Sequence, residues 1–281
     1  MLTPPVADLA DCVHALVEAR LPRGARVSVW AGEPGGPAWF EREPETRHYA
    51  ASTMKLPLLV AAYRLAERGA LDLDRAVPVH NEHRSAYDGS VFSLDQDDDQ
   101  DDETWDRLRS EVALRTLARH AVVKSGNLAT NLLLEHVGTS EVAAVLRDAG
   151  CSPATVLPRG IADAAAREHG LDNLVTAADL ARVIGGVAAR TLAGPETCAA
   201  VEAVLAAQEH RDQVPAGLPE GVYVANKTGW VDGVAHDVAL VRPDDGAPYV
   251  LVVCSTADAD EQSLYALNAA VSRAVWAARS A

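Results

Sequence analysis

Ala51-Ser52-Thr53-Met54-Lys55-Leu56-Pro57, continuing as Leu58-Leu59-Val60-Ala61-Ala62-Tyr63-Arg64-Leu65, is the stretch on which the reading of this chain turns. Its apolar residues recur at helical spacing, and Gly69 follows Glu67-Arg68 as a stop signal. Ser52 and Lys55 stand one turn apart at the start of that helix, so hydroxyl and amine share a face within hydrogen-bond reach. A serine hydroxyl is a weak nucleophile until a neighbour takes its proton, and a lysine amine can do so once burial or nearby cations lower its pKa. The partial positive charge of a helix N-terminus suits an oxyanion forming at Ser52.

A Ser-x-x-Lys pair arises by chance roughly once in a few hundred residues, so the lysine census adds weight. Lys55, Lys124 and Lys227 are the only lysines among 25 basic residues. Arginine supplies surface charge but does not deprotonate to act as a base. The lysines retained are therefore candidates for work arginine cannot do.

The 281 residues suffice for one large domain or two closely packed lobes, and 48% hydrophobic with 23% charged residues is ordinary for a globular protein. A net charge of −15 argues against nucleic acid or an anionic membrane as partner. The segment from Met1 to Asp8 lacks a basic and apolar leader pattern, and no apolar run reaches membrane-spanning length. Cys12, Cys151, Cys198 and Cys254 are scattered, which fits reduced thiols. The expectation is a cytoplasmic protein, unless a leader has been trimmed.

Working outward, residues 6–20 read as a helix with Val6, Leu9, Val13, Leu16 and Val17 on one face. Residues 26–31 and 38–41 read as a hairpin around the Gly/Pro-rich loop 32–37. Residues 71–79 read as an extended connection and 80–110 as loop, including the acidic run from Asp95 to Glu103, which reads as a solvated insertion over about 95–106. Helices follow over 112–120, 128–136, 142–149, a segment capped by Thr176, and 195–208. Strands are expected at 222–227, 234–241 and 249–254, and a closing helix at 264–278. The order implies an α+β sandwich. A five-stranded antiparallel sheet is faced by the terminal helices (residues 1–50 and 210–281), and an all-helical lobe spans 51–209. The Ser52 helix lies between them, where clefts form.

Two further motifs accompany the first. Ser125-Gly126-Asn127 follows Lys124 and opens a helix; by itself it reads as a cap, and functionally as a proton relay (Ser125) with an amide (Asn127) for substrate or Lys55. Lys227-Thr228-Gly229 ends a strand before Trp230, offering a cation and hydroxyl to a substrate carboxylate, with Gly229 permitting close approach of substrate to the backbone.

Ser-x-x-Lys, Ser-x-Asn and Lys-Thr-Gly in that order resemble the serine β-lactamases and penicillin-binding proteins, and the chain looks like their class A branch over nearly its whole length. The separation of Ser125 from Lys227 is similar to that family's. The longer gap from Ser52 to Ser125 is accounted for by the acidic insertion. The resemblance implies that Ser52 is acylated and that Lys55 is its base or shuttle. It further implies that Ser125 relays the proton, that Lys227 and Thr228 bind a carboxylate, and that the backbone N–H groups of Ser52 and Trp230 form the oxyanion hole. It implies a small-molecule acyl donor as partner, no cofactor, and a monomer.

Three departures stand out. Gly126 replaces the usual Asp, removing a carboxylate that helps fix the loop. The family's water-activating Glu is missing: Ile161 falls near its place in the segment 157–173, with Asp163 and Glu168 the nearest carboxylates and Arg159–Asp172 a candidate loop-locking pair. His236 stands about where an Arg often helps bind the substrate carboxylate, and is a candidate for that role when protonated, or for a base. His80-Asn81-Glu82-His83 has metal-pair spacing but no third placed ligand, so it reads as surface loop and no metal is expected. The expected function is a serine hydrolase acylated at Ser52 by a β-lactam or related amide or ester, with slow deacylation. The alternatives are a D-alanyl peptidase or esterase, and a sensor that stays acylated.

Overall fold

The computed structural model describes residues 6–279, with side chains from Leu9 onward; Met1 to Pro5, read above for a leader, and the side chain of Val6 lie outside the described residues. Five antiparallel strands form the central sheet: β1 (Arg26–Gly32), β2 (Ala38–Arg42), β3 (Tyr223–Val231), β4 (Val234–Arg242) and β5 (Tyr249–Thr256), in the order β2-β1-β5-β4-β3. Helices of ten residues or more are α1 (Val6–Arg20), α2 (Lys55–Glu67), α3 (Leu114–Val123), α4 (Asn127–Val137), α5 (Thr139–Asp148), α6 (Ala177–Ala188), α7 (Pro195–Ala206) and α8 (Glu261–Ala278).

Side-chain alternation divides the core into two layers, because successive strand residues point to opposite faces. Leu251 and Val253 of β5, with Val27 and Val29 of β1, pack against Leu9 and Val13 of α1 and Leu264, Leu267 and Val271 of α8. Their neighbours Val250, Val252 and Cys254 pack on the other face with Val183 and Ile184 of α6 and the apolar residues of α2. A sheet buried on both faces explains why β5 is apolar at nearly every position.

α2 is apolar around most of its circumference, with Leu56, Leu58, Leu59, Val60, Ala61 and Ala62 all buried, so it is the central post of the helical lobe. The expected strand at 222–227 continues to Val231, placing Lys227-Thr228-Gly229 inside the edge strand β3 rather than at its end. The expected loop 80–110 holds a small hairpin (His83–Arg84 with Val91–Phe92) and a short helix, Asp102–Trp105. Glu111–Ala113 pairs with Ala76–Pro78 before α3 begins. Among the described residues no helix is long and apolar enough to cross a membrane.

Candidate active site

Ser52 sits in a 3-10 turn, Ala51–Met54, that leads into α2 and lines a cleft of about 560 Å³ between sheet and helical lobe. The preceding Ala51 has φ +44°, and Ser125 across the cleft has φ +61°. Non-glycine residues in this left-handed region are strained, and such strain persists where the surroundings over-determine the backbone. One restraint is visible at Gly229: a Cβ there would fall 2.7 Å from the Thr53 amide nitrogen and 2.8 Å from that of Ser52. The glycine therefore admits the Ser52 turn against β3, a close approach that the sequence had suggested for a substrate. The contact brings the Ser52 amide beside the strand that carries Trp230, whose side chain also lines the cleft. His210 packs edge-on against the Trp230 ring at 4.8 Å and fixes that wall.

Lys55 and Lys227 are both fully buried. Lys55 Nζ donates to Ser125 O (2.6 Å), to Asn127 Oδ1 (2.9 Å) and, at 3.5 Å, to Ser125 Oγ. Lys227 Nζ donates to the same Ser125 Oγ at 3.0 Å and to Thr228 O at 2.7 Å. Burial pulls the Lys55 amine down to about 7, while the carboxylates of Asp99 and Asp101 hold it up. Burial, and then the charge of Lys55, push Lys227 well below the ordinary lysine value, against the pull of Asp237. Two amines thus converge on one hydroxyl, and at neutral pH Lys55 is poised to take a proton. Thr228 Oγ1 is buried and has no hydrogen-bond partner. Lys124, by contrast, forms a surface ion pair with Glu103 at 2.9 Å, so scarcity alone did not mark it as functional.

The acidic run is solvated at Asp95, Asp97, Asp98, Asp102 and Glu103, as expected, but Asp99 and Asp101 turn inward and belong to the site. Asp99 accepts from the amides of Asn127 (2.7 Å) and Leu128 (2.8 Å), capping α4, and from Trp105 Nε1 at 2.9 Å. The Asn127 side chain donates from Nδ2 to Asp98 O at 3.0 Å. Asp101 is buried against Gly126: a Cβ on Gly126 would lie 2.7 Å from Asp101 Cβ and 2.8 Å from its Oδ2. The space a side chain at 126 would occupy is filled by a carboxylate delivered from 25 residues upstream. Burial works to raise the Asp101 pKa, but hydrogen bonds from His120 and Thr104 prevail and keep it below the ordinary carboxylate value. The carboxylate missing from the motif is therefore present in space.

The segment opposite Ser52 places Ile161 and Ala162 on the cleft wall, together with Arg167. Asn131 of α4 clasps the Ile161 backbone, accepting from its N–H at 2.8 Å and donating to its carbonyl at 3.0 Å. The expected Arg159–Asp172 pair forms at 2.6 Å. Neither candidate carboxylate reaches the cleft. Asp163 is buried as an N-cap, accepting from Ala166 N and from Ala86 N, and Glu168 is exposed outside the lining. His236 is also set back: it is fully buried, donates from Nε2 to Tyr49 O at 2.9 Å, and burial holds its pKa down to about 4. It is a neutral prop beneath Tyr49, which lines the cleft, rather than a cation for a carboxylate. The carboxylates that do line the cleft are Asp95, Asp97, Asp98, Asp232 and Glu261; sequence reasoning named none of them as site residues, because an acidic run carries no mark of what it docks on.

Buried Ser125, the two buried lysines and Asn127, drawn together on a sheet flanked by a helical lobe, define the class: a β-lactamase-like scaffold. The chain belongs to the beta-lactamase enzyme family, whose model matches residues 8–278. A curated β-lactamase of Citrobacter koseri is 33% identical over 158 residues, 52% of this chain; the chain spans about half (51%) of that relative's length. A β-lactamase structure from Sphaerobacter thermophilus aligns with TM-score 0.79 at 24% identity, covering 99% of each chain. The structure of PBP-A aligns with TM-score 0.80 at 20% identity, again covering 99% of each. These structures share the fold.

Proposed function

We propose that Ser52 is acylated by a β-lactam, or by a related activated amide or ester, and that the acyl-enzyme is then hydrolysed slowly. The observation that carries this reading is Lys55: a buried amine held at about 7, one turn from Ser52 and hydrogen-bonded into the Ser125–Asn127 loop. In the forward step Ser52 Oγ bonds to the carbonyl carbon while its proton passes to neutral Lys55. The C–N bond then breaks, and the leaving nitrogen receives a proton through Ser125, which both buried amines contact. The Ser52 and Trp230 amides on the abutting turn and strand receive the oxyanion. The unpartnered Thr228 hydroxyl supports capture of a substrate carboxylate, since leaving a buried hydroxyl unpaired costs about 1–3 kcal/mol. Ile161, rather than Asp163 or Glu168, lines the cleft that holds Ser52, which favours slow release and with it a second reading in which the acylated state is itself the signal.

Intact-protein mass spectrometry after mixing with a penicillin and a chromogenic cephalosporin tests both, with Ser52→Ala as control. A transient adduct on the wild type with colour change, absent from the variant, is the expected result. An adduct that persists for hours selects the sensor, and no adduct with either compound rejects β-lactams and directs the test to esters.

A further inference from the structure

We infer that His80, His83 and Glu135 form a binding site for a divalent transition cation of the zinc type, on the helical lobe and independent of the catalytic reading. The His-x-x-His spacing read as surface loop for want of a third ligand, and the fold supplies that ligand from α4. Glu135 Oε1 lies 2.7 Å from His83 Nδ1, and Oε2 lies 3.2 Å from His80 Nε2. The three ligand atoms all fall within 4.8 Å of one another. A tetrahedral zinc with bonds of about 2.0–2.1 Å sets its ligand atoms about 3.3 Å apart, so small side-chain adjustments suffice.

The setting favours a metal over a chance cluster. His83 is buried at 3% exposure, where surface loop was expected, and its Nδ1 is turned toward Glu135. Glu135 pairs with no lysine or arginine among the described residues; its ion partners are the two imidazoles. His80 and Glu135 are partly open, at 40% and 35% side-chain exposure, which leaves an entry path and a fourth position for water. Two imidazoles and one carboxylate suit zinc, cobalt or nickel, whereas calcium and magnesium prefer all-oxygen sets. The cation would staple the hairpin at 83–92 to α4.

The test uses tag-free, chelator-stripped full chain, titrated with zinc by calorimetry and with cobalt by visible absorption. The expected result is one saturable equivalent, tetrahedral cobalt bands, and a zinc-dependent rise in Tm. His80→Ala and Glu135→Gln, both at partly exposed positions, should each weaken zinc binding by about tenfold or more and shrink the Tm rise at a given zinc concentration. The absence of a saturable site in the wild type overturns the proposal, as does zinc binding of undiminished strength in both variants. β-Lactam turnover does not enter the readout, so this test and that of the catalytic reading fail separately.

Discussion

At the residue scale the proposed acylation gives Lys55 the proton chemistry, and the sign of its pH dependence follows from its surroundings. A base works in its neutral form, so acylation is slow below the Lys55 pKa of about 7 and rises as pH passes through it. Asp99 and Asp101 oppose the burial effect by favouring the charged amine. Replacing Asp101 with Asn should therefore move the acid limb of the acylation rate to lower pH. Stopped-flow rates of adduct formation between about pH 5 and pH 9 check this; a limb that stays in place in the variant removes Asp101 from the electrostatics of Lys55. The sequence pointed to Lys55 and Lys227 because arginine cannot substitute for them in such work. The lysine census alone could not separate them from Lys124, since composition carries no information about burial; the Ser-x-x-Lys and Lys-Thr-Gly motifs did. His236 was misread for the same reason: its depth beneath Tyr49, which its place along β4 does not reveal, leaves it uncharged.

At the scale of elements, the acidic segment is a brace rather than a tether. Its carboxylates cap two amides of α4 through Asp99 and fill the side-chain space of Gly126 through Asp101. Gly126→Asp alone forces two carboxylates into one space and should destabilise by about 1–3 kcal/mol, as overpacking does. Adding Asp101→Ala should recover at least about 1 kcal/mol, a coupling of the size seen between residues in contact. Urea unfolding of the wild type, both single variants and the pair measures it, and additive effects would sink the claim that 101 and 126 share one site. Helices and strands were legible from their periods of 3.6 and 2. The brace was not, because a run of like charges looks solvated until the helix N-terminus and the missing side chain it docks on are brought beside it.

For the molecule as a whole, one antiparallel sheet of two early and three late strands was legible from the order of elements, whereas the strand order and the two-layer core came only with the fold. What the pattern did not show was the electrostatic character of the cleft. A chain of net charge −15 lines its cleft with Asp95, Asp97, Asp98, Asp232 and Glu261, against Arg167 as the exposed cation of that lining. An anionic substrate approaches against this field. Raising ionic strength from about 0.01 M to 0.15 M, which shortens the Debye length from about 30 Å to about 8 Å, should increase kcat/KM for a mono-anionic substrate. A zwitterionic analogue should respond less. Steady-state kinetics across that salt range decide it, and a fall in kcat/KM with salt for the anion would contradict the field described.

The contact between Asp101 and Gly126 also constrains descent. The same carboxylate has two addresses, one within the helix-opening motif and one upstream of it, and the two cannot be occupied together. Passing from one to the other by single substitutions must cross either a crowded intermediate with both carboxylates or an empty one with neither. The empty one is the milder, because a small void at a loop is tolerated better than overlapping backbone and side-chain atoms. Lineages that moved the carboxylate are thus expected to have lost it first and regained it elsewhere, so that a scan for the motif's middle aspartate passes over them although the charge is still in place.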